Sequence, residues 1–239
     1  MIRPLLLLLL ASPLLYAQSD MTGIELEGAT ALHLSALFSN VEIREATGDA
    51  VTVEHAVTIE GEPRPELAKL DIDRRDGTIY VDEEGPTMRD LSKVNKQYGR
   101  DSCCNSQVRM IVRVPAGITV TVETVYGSVD ITDLTGLREV KSTYGGVTVA
   151  YADTGFPAEL DLYSNYGAVD LTIPPGQALR VDLTTQYGEL LTDVDLTIDP
   201  AASERRDFYE HVVGTVEGAA RPGVVRCEAP YGKVYLREG

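Results

Sequence analysis

Few residues in this chain have the types and spacing that chemistry requires. Glu139, Asp161 and Asp182 form the best set: each stands five residues before a Tyr-Gly pair, at Tyr144, Tyr166 and Tyr187. The flanking residues alternate polar and apolar, as in a strand with one buried face. If such strands stack in parallel at about 4.8 Å, the three carboxylates fall into one solvent-facing column. Carboxylates about 5–9.5 Å apart can share acid and base work on a glycosidic bond. A row of hard oxygen ligands could instead hold Ca2+, and stacked like charges repel and invite a counter-ion. The set lacks the usual calcium-loop spacing. The expected reading is a solvated acidic face, with no catalytic, cofactor or metal residue assigned.

The other reactive types are sparse. The three histidines, His33, His55 and His211, show no metal-ligand spacing. His33 and His55 alternate with apolar neighbours and read as strand residues. No nucleophile elbow, phosphate loop or dinucleotide fingerprint occurs, although a Ser/His/Asp triad can assemble from distant positions. Of three cysteines, Cys227 sits in an apolar column and is expected to be a buried, inert thiol. Cys103 and Cys104 are adjacent in a polar stretch, where a strained vicinal disulfide or an intermolecular bridge is the expectation.

The elements that would position these residues form a repeat. Tyr126, Tyr144, Tyr166, Tyr187 and Tyr231 are each followed by Gly, at spacings of 18, 22, 21 and 44. The last spacing suggests one degenerate copy. After the pairs come YGSVDI, YGGVTV, YGAVDL, YGELLT and YGKVYL. Four residues before each Tyr stand Val122, Val140, Leu162, Leu183 and Cys227; two before stand Thr124, Ser142, Ser164, Thr185 and Ala229, all small. Each unit is therefore a strand, a tight Tyr-Gly corner, a second strand and a turn. Gly is expected there for the backbone angles it allows. Units this short must stack to bury an apolar face. Stacking would align the tyrosines in a ladder, structural in origin, with a sugar-binding aromatic strip as the alternative.

The plan extends weakly towards the N-terminus. FSNVEI (38–43) reads like YGSVDI, and Val51–Ile59 follows as a strand. Leu70–Arg74 and Thr78–Asp82 read as strands about an Asp76-Gly77 turn. Residues 84–106 are a polar, irregular insertion, and its Tyr98-Gly99 pair lacks flanking alternation. Phe208–Val216 is expected to be the strand of the degenerate copy, with a short helix over Ala201–Tyr209 as the other possibility.

Composition sets the remaining bounds. The chain has 239 residues, 44% hydrophobic, with 12 Tyr and no Trp, so a core can form. Its net charge of -16 disfavours nucleic acid and anionic membranes as partners. Arg3, the run Leu5–Leu10 and Ala17 read as a signal peptide over 1–17. Removing those 17 residues leaves 222 and, with Arg3 gone, a charge of -17. The apolar stretch is shorter than the ~20 residues of a membrane span. The expectation is an exported protein, periplasmic or at the surface, with one domain over 18–239.

The blocks VRVPAGITVTVETVYGSVDITDLTG and VVGTVEGAARPGVVRCEAPYGKVYL resemble the bacterial "putative adhesin" β-strand-repeat family. The resemblance runs from about Gly23 to the end and rests on spaced Gly and alternating strands. It implies a β-solenoid-like envelope protein; the adhesin label implies little about binding.

The fold class expected is thus all-β, a β-solenoid or single-stranded β-helix of about 20 residues per coil with Tyr-Gly corners, some 10 coils and about 50 Å long. A β-sandwich is the alternative. The expected function is a non-catalytic interaction or scaffold module without cofactors, meeting an envelope protein or a surface glycan. An envelope sensor and a polysaccharide-processing protein are the alternatives.

Overall fold

The structure, a computed structural model, describes residues 20–97, 105–152 and 155–239. The leader, the Tyr98-Gly99 pair and Cys103-Cys104 lie outside the described residues. The fold is all-β, with two large sheets whose apolar faces share one core. The described residues begin with β1 (Asp20–Glu25), β2 (Ala31–Ala36), β3 (Asn40–Ala46), β4 (Ala50–Ile59) and the short β5 (Glu62–Pro63). A hairpin follows, β6 (Leu70–Arg75) and β7 (Thr78–Glu83). Asp76 and Gly77 both take left-handed φ, 50° and 75°, as the expected turn requires. The polar insertion contains helix α1 (Met88–Gln97), and β8 (Ser106–Pro115) returns to the sheets.

The repeat region supplies β9 (Thr119–Thr124), β10 (Val129–Thr132), β11 (Leu137–Ser142), β12 (Val147–Ala150), β13 (Glu159–Ser164) and β14 (Val169–Ile173). It continues with β15 (Leu179–Thr185), β16 (Leu190–Thr192), β17 (Leu196–Ile198), β18 (Glu204–Arg206) and β19 (Tyr209–Val216). The chain ends with β20 (Gly223–Glu228) and β21 (Val234–Glu238).

The first sheet runs β1-β4-β8-β3-β10-β12-β14-β21-β16, and the second β6-β7-β2-β9-β11-β13-β20-β15-β19-β17. Each Tyr-Gly corner joins a strand of the second sheet to one of the first. Equivalent strands pair in parallel and in register: Val129 faces Val147, Val147 faces Val169, and Val169 faces Val234. Antiparallel strands close both ends, β1 and β4 with β6 at one, β17–β19 at the other. Seven two-strand layers lie between them among the described residues, fewer than the ten expected, because residues 50–75 and 196–216 build the end strands.

Layer order departs from chain order twice. The β2/β3 layer sits between β7/β8 and β9/β10, and the C-terminal β20/β21 layer sits between β13/β14 and β15/β16. The spacing of 44 therefore hides no lost copy. Tyr209–Val216 instead pairs antiparallel with β15, and the helix considered over 201–209 is a strand and a turn. The core column is continuous through the insertion: Leu162 faces Cys227, and Cys227 faces Leu183. Cys227 is a buried free thiol, as its column suggested. Burial pushes its pKa up, with Asp161 and Asp182 adding to the shift, so the reactive thiolate is suppressed.

The corner glycines correct one expectation. None of Gly127, Gly145, Gly167, Gly188 and Gly232 has positive φ. They are required by closeness. A Cβ on Gly145 would lie 2.0 Å from the Gly127 carbonyl oxygen, and one on Gly167 2.3 Å from that of Gly145. The small column two residues before each Tyr is buried beneath these contacts. There Ser164 Oγ donates to Gly145 O at 2.7 Å, and Thr185 Oγ1 donates to Gly232 O at 3.0 Å.

Gly145→Ala is expected to destabilise the fold by about 3 kcal/mol in urea denaturation, the scale of forced overpacking. Gly48→Ala, where a Cβ meets nothing within 4 Å, should change stability by less than about 0.5 kcal/mol.

Candidate functional site

The corners carry their tyrosines outward along one edge. Each corner amide donates to the preceding layer: Tyr144 N to Val125 O at 2.8 Å, Tyr166 N to Thr143 O at 3.0 Å, and Tyr187 N to Pro230 O at 2.8 Å. The rings follow in the order Phe38, Tyr126, Tyr144, Tyr166, Tyr231, Tyr187, Phe208. The first six stack at 5.1–5.3 Å between centroids and 5–17° between planes. Such pairs contribute about 0.5–1.5 kcal/mol each. The five tyrosines are 51–61% exposed. Because the rings cover one another's faces, they offer solvent mainly their edges and hydroxyls. A sugar needs a free face, so the stacked strip itself does not supply the glycan platform considered from the sequence.

The columns beside the rings are uncharged over most of the edge. Leu37, Val125, Thr143, Asn165, Pro230 and Gln186 precede the rings, and Asn40, Ser128, Gly146 and Ala168 follow the corner. Charge enters only with Lys233 and Glu189, which pair at 2.7 Å. The chain carries 37 Asp+Glu, so this neutrality singles the edge out.

One end of the ladder is sealed. Phe38, Leu67 and Leu91 pack against a buried cluster of Val57, Ile59, Val94 and Val108, where α1 meets the sheet. Its corner has Ser39 in place of Gly, and in the layer beyond β7 leads to α1 rather than to a Tyr-Gly corner whose carbonyls could accept. The buried carboxylate of Glu83 replaces them. It accepts from Leu37 N at 2.7 Å, Phe38 N at 3.0 Å, Ser39 N at 3.1 Å and Ser39 Oγ at 3.1 Å. His55 Nε2 lies 3.5 Å from Glu83 Oε1, an electrostatic contact too long for a strong hydrogen bond. Burial raises the Glu83 pKa, but His55 and the backbone amides of Phe38 and Ser39 outweigh it and hold it below the ordinary value. The sequence suggested no partner for His55; the signal was Glu83 at the strand end, five residues before α1.

The acidic column on the outer face of the second sheet is broken. Glu139 faces Asp161, but Arg226 stands between Asp161 and Asp182. Every carboxylate has a cationic or histidine partner: Glu139 with Lys141 at 2.7 Å, Asp161 with Arg226 at 3.4 Å, and Asp182 with His211 at 2.9 Å. Among the described residues no cluster of three or more potential ligands could hold a metal. His33 Nδ1 meets Thr121 Oγ1 at 2.9 Å in the same column. A groove of about 450 Å³ runs past Arg180, Asp182, Val213, Val224 and Arg226. The nearby Ser203 hydroxyl bonds both backbone groups of Val213. It is thereby held to the backbone rather than presented to His211.

Two outcomes follow. Glu83 has a lowered folded pKa, so its stabilisation is present above the ordinary value of 4.5 and is lost as pH falls through the folded value. Glu83→Gln is expected to cost about 2–3 kcal/mol at pH 7, with the gap to the parent closing below that range in denaturation at stepped pH. Millimolar Ca2+ is expected to leave the melting temperature unchanged in calorimetry, since the countercharges are already in place.

No known family model and no characterised protein matches the chain by sequence. In structure it is similar to a "putative cell adhesion protein" from Clostridium sporogenes, with a TM-score of 0.65 and 12% identity over 93% of this chain and 99% of the other. A "putative adhesin" from Bacteroides fragilis aligns at a TM-score of 0.33 and 8% identity over 93% and 98%. A "putative lipid binding protein" from Parabacteroides distasonis aligns at 0.24 and 9% over 92% and 97%. The first likeness shows a shared fold; the other two carry no argument.

Proposed function

We propose that the chain is a non-catalytic, exported module of the cell envelope, a two-sheeted β-solenoid that docks an envelope protein along its tyrosine edge. The observation that carries this reading is a neutral, tyrosine-lined edge in a chain of net charge -16. Tyrosine with Ser, Gly and Asn beside it is the composition of antibody paratopes, which join apolar contact area to adaptable hydrogen bonds. Stacking has already fixed the rings, so little side-chain freedom remains to be lost on docking. Long-range repulsion from an acidic partner is least where the surface carries no charge. The leader-like first 17 residues support export. The fold shared with the Clostridium sporogenes protein is compatible with an interaction role.

A photo-reactive residue at position 144, on the edge, is expected to crosslink one specific protein in the native envelope. The same residue at exposed Thr148, on the outer face of the first sheet, should not. The combined change of Tyr126, Tyr144 and Tyr166 to Ser should weaken recovery of that partner about tenfold, as loss of aromatic anchors does. Equal crosslinking from both positions would sink the reading.

A further inference from the structure

The ladder has one open end. Phe208 closes the series on Tyr187, but at 5.9 Å and 35° it leaves the regular stack. Phe208 is 75% exposed, the most of any large hydrophobic residue among the described residues, and Tyr187 is its one ring neighbour among them. The backbone there is strained. Phe208 is the second residue of the Asp207-Phe208 turn between β18 and β19, with φ +58°. Gly is the residue favoured at such a position, and a bulky one is an outlier. A strained, exposed aromatic contributes little to folding, and such outliers cluster where a ligand is held.

The surroundings supply polar groups. A cleft of about 220 Å³ is lined by Phe208 and Tyr187 with Gln186, Arg205, Tyr209 and Glu210. Arg205 pairs with Glu210 at 3.6 Å and Arg206 with Glu204 at 3.1 Å. The Arg206 guanidinium also lies 4.7 Å from the Tyr209 ring centre. With Asp207 in the turn these charges sum to only -1, a weak field for an ionic ligand, and the paired groups supply donors and acceptors.

From this geometry we propose that the cleft at Phe208 binds a neutral sugar ring, a pyranose of a surface or envelope glycan. The C–H face of the sugar lies on the exposed Phe208 ring where it lines the cleft, and its hydroxyls meet Gln186, Arg205 and Glu210. A protein's aromatic anchor would need a desolvated apolar pocket, and this lining is largely polar. The end of the ladder offers what its stacked middle lacks, an exposed aromatic ring tilted out of the regular stack.

The test uses the full chain with maltohexaose, cellohexaose and chitohexaose in titration calorimetry, and Phe208→Gly as the variant. At least one of the three oligosaccharides is expected to bind the parent saturably, and Phe208→Gly should weaken that binding at least tenfold. Glycine relieves the positive φ, so the variant's melting temperature should be equal or higher. Failure of all three sugars to bind, or binding unchanged in Phe208→Gly, overturns the proposal. So does a lowered melting temperature, which would make the ring a structural cap. Tyr126, Tyr144 and Tyr166 are untouched in this variant, so the docking edge stands or falls separately.

Discussion

The contact on which this structure depends is a corner glycine lying against the carbonyl oxygen of the next corner. At Gly127, Gly145, Gly167, Gly232 and Gly188 the space a Cβ would need is occupied by backbone, with 1.7–2.3 Å left. That closeness keeps adjacent layers in register, and register is what lets the rings stack and the valine, leucine and cysteine columns meet. A side chain at one corner would push two layers apart and forfeit ring and core contacts together. Ser39 shows the rule from the other side. Its layer has no corner beyond it, so a side chain is allowed, and Glu83 supplies the acceptors that a neighbouring corner would have supplied.

Much of this was legible in the residues. The Tyr-Gly period, the alternation around it and the small column gave the strands, the corners and the buried face. The equivalence of FSNVEI with YGSVDI is realised, since Val41 faces Val129 and Ile43 faces Ile131. The order of layers was not legible. Parallel strands with the same period and the same inward residues are interchangeable neighbours, and nothing local in RCEAPYGKVYL says that it belongs beside Tyr166. Placing it after Tyr187 aligned Asp161 with Asp182 and created an acidic run that Arg226 in fact divides. The reason assigned to the corner glycines failed on similar ground, because closeness to a neighbouring layer leaves no mark in the sequence.

The two ends of the sheets are treated differently from the middle. The outermost strands expose backbone that could pair with another chain. β6 places Asp71, Asp73, Arg74 and Arg75 there, and β18 is Glu204-Arg205-Arg206. Charge on an edge discourages such pairing. The ladder is likewise sealed by α1 at one end and left open at Phe208 at the other. The molecule therefore has a direction, although its repeats are nearly alike.

The buried place of the C-terminal layer has a consequence for how the chain is made. In a strictly sequential array each new unit adds to a finished surface, and the last one can be lost with little harm to the rest. Here β20 and β21 fill a slot between layers made earlier, whose facing residues lie 65 and 44 positions back along the chain. Until residues 223–239 emerge, the strands on either side of that slot lack their partner, and the columns of core and rings are interrupted at the same level. Stability is thus not accumulated unit by unit along the chain, and a chain cut before residue 223 is marked by its own exposed interior.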